Sequence, residues 1–257
     1  MDQQPFRRGR KPQALPCTPR SLAAWAVLLC AAPLAPTGRP LSSDDASSAD
    51  AGTCQVEAWS ARDGSGRDAG ARSVVLAPAC GLAAGLEVGA DHTRFSPRGT
   101  QPDEAGLALK WVPAEWRVGS SAGELNFGLK LSAARVKAAG VGWQHAQTGA
   151  LVLATLEASQ TLAMPANLGP ARDRAQRTQG TLLNLAVVWT PLDALLLFAE
   201  VLGNDRREVF GRTVCSVGTR WWLVKDTLGL DLSASRQAGN GAGTRWTFGL
   251  GWYGIGS

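Results

Sequence analysis

Leu228-Gly229-Leu230-Asp231-Leu232-Ser233-Ala234-Ser235 carries an apolar residue at every even position and a glycine or polar residue at every odd one. Side chains of an extended chain point alternately to opposite sides, so this is a strand with one apolar and one polar face. Further on, Trp246, Phe248, Leu250 and Trp252 alternate with Thr247, Gly249, Gly251 and Tyr253. Five such segments follow one another between residues 181 and 253. Two of the joints, Thr190-Pro191-Leu192-Asp193 and Val224-Lys225-Asp226, are tight turns, whereas 204–212 and 236–244 are long and polar. Alternating faces with short turns at one end and long loops at the other are what a closed transmembrane β-barrel requires.

Working upstream, seven more segments fit the same rule: 54–61, 72–80, 82–95, 105–111, 126–133, 149–157 and 161–169. Residues 136–148 fit either a loop or the start of a longer sixth strand. Pro165 weakens the seventh strand, and 170–180, with Arg172, Arg174 and Arg177, reads as a long basic loop. The reading is therefore an all-β protein, a closed antiparallel up-and-down transmembrane β-barrel of about twelve strands. An even count puts both ends of the barrel on one side of the membrane. Ten strands is the alternative, because 72–80 and 136–169 are the least regular stretches.

The barrel region, 54–257, is preceded by two segments of different composition. In residues 1–35, Arg7, Arg8, Arg10, Lys11 and Arg20 flank an apolar run from Ser21 to Ala35. A run of about 15 residues suits a secretory signal and is short for a spanning helix. Cleavage fits after Ala35 or, farther from the apolar run, around Ala49-Asp50-Ala51. Residues 36–53 are small, polar and without periodicity, which predicts a flexible periplasmic lead-in.

The net charge of +5 comes mainly from the leader. A chain beginning at residue 36 has 21 basic and 20 acidic residues, so no basic excess remains to attract nucleic acid. Export places the cysteines in an oxidising compartment. A hairpin centred near residue 67 sets Cys54 opposite Cys80, and directly opposed residues point to the same face, so a Cys54–Cys80 disulfide is predicted. Cys215 is then left without a partner in the barrel region.

The ten tryptophans test the topology. With odd strands running outward, Trp111, Trp189, Trp221, Trp222 and Trp252 fall near the ends of even strands, where a ring of indoles would mark the water–lipid boundary. On alternation, loop asymmetry and this girdle, residues 54–257 resemble the outer-membrane β-barrel proteins of Gram-negative bacteria, of the porin-like or small-solute transporter type. The resemblance implies a location in the bacterial outer membrane, contact with its lipid, and assembly by the barrel-insertion machinery. In such proteins that machinery reads a terminal aromatic; here Gly254-Ile255-Gly256-Ser257 follow Trp252-Tyr253.

The polar faces then converge on a lumen. Glu57, Glu87, Asp91, Lys110, Asn126, Lys130, Asn184, Glu200, Arg220 and Asp231 are predicted to point inward. Such a mixed-charge interior suits the passage or binding of a small polar solute through a narrow lumen. The alternative is a structural or assembly barrel whose charges pair and fill it. A barrel-embedded hydrolase would need His92 or His145, the two histidines of the chain. His92 adjoins Asp91, but neighbours on a strand face opposite sides, so no dyad forms there. The expectation is no enzyme, no catalytic residue, no metal and no cofactor: the cysteines and histidines are scattered, and Gly239-Asn240-Gly241-Ala242-Gly243 lies between strands with no helix to receive an anion.

Overall fold

Hydrogen-bonded strands make up almost the whole computed structural model, which describes residues 41–65, 70–96, 103–137, 142–174, 177–205, 213–238 and 243–256. The leader 1–35 and residues 36–40 of the lead-in lie outside the described residues. In chain order the strands are β1 Cys54–Asp63, β2 Arg72–Gly81, β3 Leu86–Ser96, β4 Asp103–Trp111, β5 Arg117–Ser120, β6 Gly123–Lys137 and β7 Trp143–Ser159. They continue as β8 Leu162–Asp173, β9 Thr178–Leu192, β10 Leu195–Asn204, β11 Val214–Val224, β12 Leu228–Gln237 and β13 Thr244–Ile255. Each pairs antiparallel with its neighbours, and β1 pairs with β13, so the sheet closes on itself.

Both β4 and β5 lie along β6, with a single turn of 3-10 helix, Ala114–Trp116, between them. They share one place in the wall, so thirteen strands make a barrel of twelve positions. Closure satisfies the backbone of every strand without leaving an edge, which hydrocarbon demands.

The alternation read from sequence is seen in the exposure. Leu107 (65% exposed), Phe248 (58%), Val74 (58%), Leu131 (56%) and Trp246 (54%) form part of a continuous outward apolar surface, whereas Arg220 (0%), Asn167 (1%) and Glu200 (4%) are enclosed. In water an apolar surface of that extent would drive aggregation; facing lipid it costs nothing. No helix among the described residues is long and apolar enough to cross a membrane.

Several boundaries differ from the sequence reading. The ambiguous residues 136–148 belong mostly to the ends of β6 and β7, which pair out to Lys137↔Trp143 across a bulge at Ala134/Arg135. The stretch read as a long basic loop is largely strand: β8 runs to Asp173 and β9 starts at Thr178. Pro165 and Pro170 sit within β8, opposite Thr155 and Thr181. The β9 ladder skips Met164 and Pro165 and the β7 ladder skips Gly169 and Pro170, so each proline stands where the ladder on one side is interrupted.

The main finding concerns residues 41–50. Without helix or strand, this part of the expected lead-in runs inside the barrel, with Leu41, Ser43, Asp45 and Ala46 buried. Leu41 packs with Ala163, Ala186, Val188, Leu196 and Phe198 in a small apolar cluster, which departs from the polar-inside rule. At its other end the segment is fastened to the wall by Gly52 N–H donating to the Gly81 carbonyl and Gly81 N–H to the Thr53 carbonyl, both at 2.9 Å.

Candidate functional site

The interior holds two groups of polar side chains, each assembled by strand register. The first lies on β11, β12, β13 and β1. Arg220 and Asp231 are direct cross-strand partners, and the guanidinium donates to both carboxylate oxygens, at 2.7 and 2.8 Å. Glu57 is 3.6 Å from the same guanidinium and accepts a short hydrogen bond from the Tyr253 hydroxyl. The Trp222 and Tyr253 rings flank Arg220, with centroids 5.1 and 4.9 Å from its central carbon. A buried guanidinium is tolerable in such a setting, with carboxylates in its plane and aromatic faces beside it. Gly251 and Gly229 face each other across β12 and β13 and leave the room: side chains there would strike Tyr253 and Arg220 respectively.

The second group holds the inner segment. Glu200 accepts from the backbone N–H of Ser42 and of Ser43, each at 2.9 Å. Asn167 accepts from Asp44 N–H at 2.9 Å and donates to the Asp44 carbonyl. Thr155 accepts from Ala46 N–H at 2.8 Å, and Glu87 from Ala49 N–H at 2.8 Å. Five of the segment's N–H groups thus end on wall side chains, which repays the cost of taking them out of water. Charge pairing completes the fit. Lys110 and Lys130 are directly opposed on β4 and β6, an unfavourable placement for two ammoniums on one face. The adjacent Asp44 and Asp45 offset it: Lys130 lies 2.7 Å from Asp44, and Lys110 lies 3.5 Å from Asp45 and 3.7 Å from Glu87.

Of the ten residues predicted to face inward, Glu57, Glu87, Lys110, Asn126, Glu200, Arg220 and Asp231 are buried. Lys130 and Asn184 are half-buried, and Asp91 is exposed but lines the interior cavity. Asn126 donates to Glu157 at 3.1 Å and accepts from Arg117 at 3.0 Å, apart from both groups. Sequence reasoning missed Asn167, Thr155 and Tyr253, as well as the whole inner segment. Their alternation was there to read, but nothing in it marked what they would touch.

Among the girdle candidates, Trp111, Trp221 and Trp252 are exposed and Trp189 is half-buried. Trp222 is a correction. It is 4% exposed and stacks edge-on against Tyr253 inside the barrel, because neighbours on a strand face opposite sides and Trp221 already faces out. Cys54 and Cys80 are disulfide-bonded in the expected register. Cys215, expected to be unpaired, is disulfide-bonded as well; alternation within one strand does not disclose which cysteine comes near. Among the described residues, exposed His92 packs edge-on to Trp143 and the buried Nε2 of His145 has no hydrogen-bond partner.

Beside the segment lies a cavity of about 1020 Å³. Its lining runs from Asp226 and Gly254 at the short-turn end to Glu104 and Arg245 at the long-loop end, past Glu57, Trp59 and Asp91.

Comparison with known proteins gives the fold a setting. The model of one family, described as "Uncharacterised conserved protein UCP029691", matches residues 25–251. No curated protein matches in sequence. Among solved structures, the KdgM porin aligns with a TM-score of 0.55 at 10% identity, over 77% of this chain and 98% of its own. The same porin in complex with disordered oligogalacturonate gives 0.56 at 10% identity, with the same coverage. The NanC porin gives 0.54 at 7% identity, again over 77% and 98%. The architecture is that of outer-membrane porins.

Proposed function

We propose that this chain, which belongs to the family whose model matches residues 25–251, is an outer-membrane barrel that passes or binds a small polar solute. The observation that carries the reading is a cavity lined by residues from the short-turn end to the long-loop end. A barrel filled only by its own side chains would not leave a space touching both ends. The solute would travel a narrow, mixed-charge route along the β1–β3 and β12–β13 walls, past Asp91, Glu104 and Arg245. Porins of the same architecture, one of them solved with oligogalacturonate, lend support. Location in the outer membrane follows from the outward apolar rows together with the leader read at 1–35. The lipid contact and the insertion machinery belong to the same proposal. No step of it requires enzymatic chemistry.

A specific observation favours a second reading, the structural barrel with a filled lumen: residues 41–50 already occupy part of the interior. Planar-bilayer recording of the refolded full chain separates the two. Discrete conductance steps, together with swelling of proteoliposomes in a small polar solute, are expected for the passage. Silence in both measurements would leave the filled barrel.

A further inference from the structure

We infer that residues 41–50 are a stopper hinged at residues 51–53 and latched by Lys110 and Lys130, and that its release widens the lumen. The inference rests on the passage reading above and names the regulation of that passage. Four observations converge on it. First, the segment forms no ladder with any strand, so its departure leaves the sheet intact. A true wall element could not leave without exposing unpaired backbone. Second, its two ends are held differently. The hinge end is fastened to Gly81 beside the Cys54–Cys80 disulfide, whereas Leu41 at the far end of the described segment sits in the apolar cluster.

Third, the contacts between are hydrogen bonds and ion pairs to side chains, each of which water can replace. Fourth, the cavity of about 1020 Å³ already lies against residues 41–50, so there is space into which the segment can move.

The latch follows from charge. Docked, Asp44 and Asp45 neutralise the opposed Lys110 and Lys130. Undocked, the two carboxylates leave and the two ammoniums face water, so the released lumen is wider and more positive by two charges. Release therefore raises conductance and moves ion preference toward anions.

The test compares three forms of the full chain in planar bilayers. Leu41→Asp with Asp44→Lys places a charge in the apolar cluster and a like charge at Lys130, both outside the strands. The larger conductance level should then be occupied about tenfold more than in wild type, with the reversal potential in a salt gradient displaced toward the anion. Ala46→Cys with Thr155→Cys ties the segment to β7 across the existing hydrogen bond. Oxidised, this form should stay at the lower level, and reductant should restore wild-type gating; wild type under the same reductant controls for Cys54–Cys80 and for the disulfide of Cys215. Equal conductance in tied, released and wild-type channels would overturn the stopper and leave the passage standing. No conductance in any form, including the released one, would sink the passage itself and the stopper with it.

Discussion

Arg220 shows how much of the interior depends on one side chain. It is fully buried, forks onto Asp231, and is flanked by Trp222 and Tyr253. Arg220→Ala leaves Asp231 and Glu57 buried without their cation, a change expected to cost about 3–5 kcal/mol. Arg220→Lys keeps the charge but loses the planar fork and the stacking, so its cost should be smaller. Heat-modifiability on gels, scored as the temperature at which the folded band is lost, should rank wild type above Lys and Lys above Ala; equal midpoints for the three would refute the hub. Tyr253 and Gly251 are coupled in the same place. Gly251→Ala alone should destabilise, because its new carbon meets the Tyr253 ring. Adding Tyr253→Ala should relieve part of that loss, seen as a non-additive pair in the same assay.

At the level of elements, the β1–β2 hairpin makes the most definite prediction. The Cys54–Cys80 bond closes 26 residues of chain. By loop entropy it contributes about 3.5 kcal/mol. Cys54→Ser with Cys80→Ser should lower the unfolding midpoint while the barrel still assembles, because the pairing of β1 with both β2 and β13 does not involve sulfur. The register of this hairpin was legible from its two cysteines, placed opposite each other about residue 67, and the faces of β12 and β13 from strict alternation. Where either signal weakened, the reading failed. Proline in β8 looked like a break because the ladder gaps that accommodate it are visible only once β7 and β9 stand beside it. The inner segment had no signal at all. Its partners Glu87, Thr155, Asn167 and Glu200 lie 38 to 158 residues away in sequence, and polar contacts over such spans leave no periodic trace.

For the whole molecule, the outward rows decide what kind of solvent the barrel was built for. Leu232, midway along β12, and Trp252, near the short-turn end of β13, are both exposed apolar residues on that surface. In a bilayer they meet different depths. Leu232→Arg should cost about 2–4 kcal/mol and Trp252→Arg about 0–1 kcal/mol when folding is measured in lipid vesicles. Equal costs at the two positions would mean that no hydrocarbon slab surrounds the barrel.

The fastening of Gly52 and Thr53 to Gly81 has one more implication. A leashed occupant never dilutes: for short flexible links the effective concentration at the docking site is of millimolar order. A soluble peptide copying residues 41–50 would thus face a rival already waiting at the door, and re-closure would proceed at a rate indifferent to how much protein the membrane holds.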